Sequence, residues 1–129
     1  VKLTFIALGL AACLAAGCGA KETYRSGGRT AAYWVLALKQ PDVELRRKAA
    51  AKIGPLITSD DSCLSAAISA LQDDDVMVRL AAIRSVKVYA LSKTASVLPE
   101  LRRVGEKDPE QAVRRAAESA VKEIEKRRS

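Results

Sequence analysis

Beyond residue 30 the chain repeats itself about every 33 residues, and this constrains its fold more than any other feature. Three segments carry an aliphatic residue, then Arg, then Ala three further on, then an aliphatic residue four beyond that. They are Leu45-Arg46-Ala49-Ile53, Val78-Arg79-Ala82-Val86 and Val113-Arg114-Ala117-Val121. From Arg46 to Arg79 is 33 residues, and from Arg79 to Arg114 is 35. A second set of columns precedes each: Ala31, Val35 and Leu38 match Leu64, Ile68 and Leu71, then Val97, Leu101 and Val104, with every step 33. The two extra residues of the third unit therefore fall in Gly105-Glu106-Lys107, where a loop is expected to absorb them. Apolar residues three and four apart predict helices, so each unit is a helical pair. One pair cannot bury its own apolar stripe, and about three are needed for a continuous core. The expectation is an all-α fold, an α-solenoid of about three helical hairpins and six helices, with repeats at about 30–55, 60–90 and 95–127.

Punctuation agrees with the period. Asp108 can cap a helix, with Pro109 at its first position and Gln111 closing a capping box; Gln40-Pro41 and Asp73-Asp74 occupy the same column in the other units. Gly54-Pro55 stops the second helix of the first unit. All four prolines are expected at or near helix ends.

The pattern of two short helices per unit, with aliphatic-Arg-x-x-Ala in the second, resembles HEAT repeats, and specifically the short HEAT-like type also found in phycobilisome lyases. The resemblance covers roughly residues 30–127, and its most specific elements are Asp73 with Arg79 and Asp108 with Arg114. It implies that Arg46, Arg79 and Arg114 are structural and join acidic residues in a ladder between neighbouring repeats. The first unit departs from the pattern, carrying Gln40 where the acid of the ladder contact belongs, as a terminal repeat with no neighbour on one side can.

The first eighteen residues carry one charge, Lys2, and then none before Lys21. A basic start, an apolar middle and a small-residue end read as a secretory signal, and the apolar stretch is shorter than the ~20 residues of a spanning helix. Leu14-Ala15-Ala16-Gly17-Cys18 resembles the lipobox of bacterial lipoproteins, which implies cleavage before Cys18 and its acylation. Leu10-Ala11-Ala12-Cys13 also fits the motif but leaves too short a signal. Gly19 rather than Asp after Cys18 implies, by the same resemblance, the periplasmic face of the outer membrane in a Gram-negative cell. Residues 1–17 are thus read as a signal peptide, 18–29 as the lipidated Cys and a flexible tether ending in Gly27-Gly28, and 30–129 as the repeat domain. Five of the seven glycines lie at or before Gly28.

Histidine is absent, which removes the commonest general base and metal ligand. No Gly-rich phosphate loop or serine nucleophile elbow is present. Asp60-Asp61 and Asp73-Asp74-Asp75 sit where helices begin, where carboxylates complement the helix dipole, and this outweighs a metal site. Cys63 has no His to activate it and reads as a semi-buried thiol. The chain is expected to be no enzyme, with no cofactor and no metal.

The formal charge is +7, from 22 Lys and Arg against 15 Asp and Glu. Turning 100° per residue places Arg47, Arg84 and Arg115 opposite the inward stripes of their helices, joined by Leu80 and Ile83. HEAT arrays line their concave side with second helices, so the resemblance makes these residues a basic binding strip. Trp34 either covers the open N-terminal end of the solenoid or anchors a partner. Much of the charge in Glu118 to Arg128 supports its own helix through i,i+4 pairs. The function expected is an envelope-anchored, non-catalytic protein-interaction module whose unidentified partner has an acidic surface. Nucleic acid is the rival that basic charge permits and export argues against; a bilin lyase-related role rests on fold resemblance alone.

Overall fold

The computed structural model describes residues 25–129. A two-stranded hairpin, β1 (Arg25–Ser26) and β2 (Arg29–Thr30), leads into six helices: α1 (Ala31–Ala37), α2 (Val43–Lys52), α3 (Asp61–Ala70), α4 (Val76–Tyr89), α5 (Thr94–Lys107) and α6 (Gln111–Arg128). Short 3₁₀ turns at Gly54–Leu56 and Leu91–Lys93 join the pairs. The odd helices are the first of each pair. The even helices pack side by side, α2 on α4 and α4 on α6. This is an all-α solenoid of three helical hairpins.

Helix starts are set two residues later than the punctuation predicts. Asp42 caps α2, its carboxylate accepting from the amides of Glu44 (2.9 Å) and Leu45 (3.3 Å). Asp75 caps α4 through the amide of Val78 at 3.0 Å, and Glu110 stands at the same place before α6. Asp108 is therefore not the cap of α6. Its carboxylate is engaged by Arg79 of the preceding repeat and by the Glu110 amide, so it shapes the turn instead. The two extra residues of the third unit do not form a loop either. α5 runs on through Lys107, with Gly105 buried where a Cβ would meet the Glu118 side chain at 3.2 Å. Pro99 lies inside α5 rather than at its end, a position that forfeits a backbone hydrogen bond.

The core is one continuous stripe. Ile53, Ile57, Leu71, Val78, Val86, Val97, Leu101, Val113 and Ile124 are all essentially inaccessible. Ser85 enters it at the price of one bond, its hydroxyl donating to the Ala50 carbonyl at 2.9 Å.

Both ends of the stripe are closed. At the N-terminal end, residues 25–29 are not a tether: Gly27 and Gly28 take φ of 57° and 75°, turning the chain so that Arg25 pairs with Thr30 and Ser26 with Arg29. Positive φ at both central residues suits a tight hairpin. Trp34 is buried against it and donates its indole N–H to the Ser26 carbonyl at 2.7 Å. At the other end, Arg102 of α5 pairs with Glu125 of α6 and leaves a charged outer face, as a terminal repeat requires.

Candidate interaction surface

All three ladder arginines bond backbone carbonyls of their own turn, and Arg46 and Arg79 also link their repeat to the next. Arg46 donates from Nε to Asp73 Oδ2 at 3.0 Å and from Nη2 to Oδ1 at 3.3 Å, while Nη1 reaches the carbonyls of Gln40 and Pro41 at 2.9 Å each. Arg79 lies 2.8 Å from Asp108 through Nε, donates from Nη2 at 3.1 Å, and bonds the carbonyls of Asp73 (2.8 Å) and Asp74 (3.1 Å). Arg114 bonds only the carbonyls of Asp108 and Pro109, at 2.6 and 3.1 Å. The Arg of one repeat thus takes the acid of the following one. Gln40 costs the first repeat nothing, because Arg46 uses its backbone carbonyl; the terminal arginine without an acid among the described residues is Arg114 in the third.

Arg47 forms one further rung, between the first and second repeats, and does not belong to a free basic strip. It holds Asp75 with two bonds, at 2.9 and 2.7 Å, and Glu44 at 2.6 Å. The Arg47 guanidinium draws the Asp75 carboxyl down to about 2, below the usual carboxylate range, and Asp75 in turn raises Arg47 further above its ordinary value. Because the folded pKa is depressed, this contribution to stability is present above the ordinary carboxylate value of roughly 4 and is lost as pH falls through about 2. In Arg47→Ala the Asp75 carboxyl is expected to titrate back toward the ordinary range, measured by carboxyl NMR. An unchanged Asp75 titration would remove the rung.

Ile83 and Trp34 leave the expected surface because both are in the core, 3% and 2% exposed. Trp34 covers the end of the solenoid, and Leu80 is half-buried. The helical wheel failed for a physical reason. α4 packs against α2, α3 and α6 at once, so its buried arc takes in Val78, Arg79, Ala82, Ile83, Ser85 and Val86, wider than one stripe. What faces outward is Met77, Ala81, Arg84 and Val88, with Met77 54% and Val88 40% exposed. Their spacing of four, three and four residues was legible as an exposed apolar ridge with one Arg, but the inward stripe was drawn too narrow to reveal it.

In the register set by the ladder arginines, the neighbours of this ridge are Glu44, Lys48 and Ala51 on α2, and Ala112, Ala116, Ser119 and Glu123 on α6, with the exposed Arg115 next to Ala116 in sequence. A groove of about 180 Å³ runs between Ala51, Ala81, Arg84, Ser85, Val88 and Tyr89. On this face Glu44 pairs with Arg47, and Glu123 with Lys87 at 3.1 Å and with Arg127. Among the described residues, Lys48, Arg84 and Arg115 form no ion pair. The result is a shallow alanine floor between two exposed aliphatics, with net positive charge.

A larger groove of about 430 Å³ lies between α1 and α3, lined by Val35, Leu38, Lys39, Ser65 and Ser69. It holds no unengaged acid, since Asp73 at its edge is bound to Arg46. Asp60 caps α3 through Ser62, whose hydrogen bonds lower its carboxyl below the ordinary value. Among the described residues no three His, Cys, Asp or Glu side chains come together as a metal site, and no helix is long and apolar enough to cross a membrane. Cys63 is fully buried, more so than expected, and burial followed by the Asp60 charge pushes its thiol up to about 11. Cys18 lies outside the described residues.

The family model for HEAT repeats matches residues 31–122, so the chain belongs to the HEAT-repeat family. No curated protein and no solved structure matches it.

Proposed function

We propose that this HEAT-repeat chain is a non-catalytic protein-interaction module held at a bacterial cell envelope by lipid on Cys18, and that the α2–α4–α6 face receives an acidic protein surface. The observation that supports the second part is the imbalance on that face. Glu44 and Glu123 are consumed by local pairs, while among the described residues Lys48, Arg84 and Arg115 form no ion pair and stand near exposed Met77 and Val88. Charge then steers and orients the partner, and the aliphatics supply desolvated contact. The anchor reading rests on Leu14-Ala15-Ala16-Gly17-Cys18, and Gly19 favours the periplasmic face of the outer membrane in a Gram-negative cell.

Cys18→Ser is expected to move the protein from the detergent phase to the aqueous phase, because stable attachment needs more than one acyl chain; Cys13→Ser is expected to leave it in the detergent phase. Loss of lipid from the Cys13 variant alone would relocate the cleavage site. The face is tested by binding to envelope proteins and to duplex DNA at two salt concentrations. Met77→Asp is expected to weaken protein binding more than Arg84→Ala does. Binding to DNA that salt abolishes and Met77→Asp leaves intact would replace the acidic partner with nucleic acid.

A further inference from the structure

A second exposed surface, at the opposite end from the charged α5–α6 cap, combines cations with apolar groups. On α1, Leu36 is 60% exposed, the highest among the large apolar residues described, and Tyr33 is 38% exposed on the same side one turn earlier. Arg29 of β2 stacks over the Tyr33 ring, 5.0 Å from its centre, and Arg25 and Lys39 are exposed on either side in sequence. No acidic residue occurs between Glu22 and Asp42, so the hairpin and α1 carry positive charge only. A tyrosine beside an exposed leucine, framed by arginine and lysine, is the composition of a membrane–water interface.

We infer that the hairpin–α1 end is a membrane-facing surface that rests on anionic lipid headgroups. The inference relies on the reading of Cys18 as the anchor. Arg25 is the seventh residue after Cys18, and at about 3.5 Å per residue that stretch spans at most roughly 25 Å. The acyl chains therefore keep this end of the domain within that distance of the bilayer. Tyr33 and Leu36 enter the headgroup layer, Arg25, Arg29 and Lys39 meet phosphate groups, and the α2–α4–α6 face is left for a protein.

Trp34 is the only tryptophan in the chain and lies 4.9 Å from Tyr33, ring centre to ring centre, so it reports on this end. The full-length protein purified from membranes is reconstituted in phosphatidylcholine vesicles with or without phosphatidylglycerol, using a headgroup spin-labelled lipid as the quencher of Trp34. Quenching is expected with phosphatidylglycerol. Arg29→Glu and Leu36→Asp are expected to reduce it, with surface binding about fivefold weaker for each cation lost, while both variants still float with the vesicles through their acyl chains. Leu36→Asp is also expected to melt as the parent does, since it alters an exposed side chain. Quenching that is equal with and without phosphatidylglycerol, or unchanged in both variants, overturns the inference. If the parent protein carries no lipid, the anchor reading fails separately, and flotation on phosphatidylglycerol vesicles becomes the readout. The parent must then float and the two variants must not, or the surface is not membrane-facing.

Discussion

Arg79→Ala is expected to lower the stability of the domain by about 3 to 5 kcal/mol, the range for removing one partner of a buried ion pair. Arg79 is 7% exposed and the Asp108 side chain 5%, so the variant leaves a carboxylate facing a void with its counter-charge gone. It also frees the carbonyls of Asp73 and Asp74, which Arg79 bonds across the turn between α3 and α4. The same side chain therefore closes its own repeat and fastens the next one. Arg114→Ala is expected to cost only about 1 kcal/mol, because Arg114 makes carbonyl bonds without an acidic partner. Arg84→Ala, an exposed change on the α2–α4–α6 face, should stay within about 0.5 kcal/mol. Urea unfolding of the three variants checks the order. Equal midpoints for Arg79→Ala and Arg84→Ala would show that the rung does not hold the repeats together.

Trp34→Ala is expected to be comparably severe, about 3 to 5 kcal/mol as for other buried aromatic truncations. Trp34 is 2% exposed and fills the end of the core stripe that would otherwise meet water beyond α1. The change also removes the indole bond that fastens the hairpin through Ser26. Trp34→Phe keeps most of the apolar contact and loses the bond, so about 1 kcal/mol is expected. Hydrogen exchange should separate the two effects. In Trp34→Phe, protection is expected to fall at the hairpin and remain in α2, whereas Trp34→Ala should loosen both. An alanine variant that melts like the parent would mean that the end of the solenoid needs no cover.

The fold was readable because a repeat states its architecture three times. Columns such as Val35, Ile68 and Leu101 fix the helical face, and the arginine column fixes how neighbouring pairs meet. The details that escaped depend on contacts between units. Asp108 looked like a helix cap because its local sequence suits one, yet Arg79 from 29 residues away claims the carboxylate. Gly27-Gly28 looked like a linker, and only the presence of Trp34 beneath makes it a hairpin turn. Ile83 and Arg47 were placed outward by a wheel that treats a helix as having one buried side. Ile83 lies on α4, which has neighbours on both flanks, and Arg47 on α2 reaches Asp75 at the start of α4. Met77 and Val88 were visible in the sequence as apolar residues, but their exposure follows from the same widened arc.

The central claim is that the α2–α4–α6 face is where a protein partner sits. Photo-crosslinking in intact cells tests it most directly, with the reactive side chain placed at Met77 or Val88 and, as the control, at exposed Ser96 on α5. The account predicts a discrete protein adduct from Met77 and Val88, none from Ser96, and loss of that adduct when Arg84→Glu and Arg115→Glu are combined. Adducts that form equally from Ser96, or that persist through both charge reversals, would contradict it.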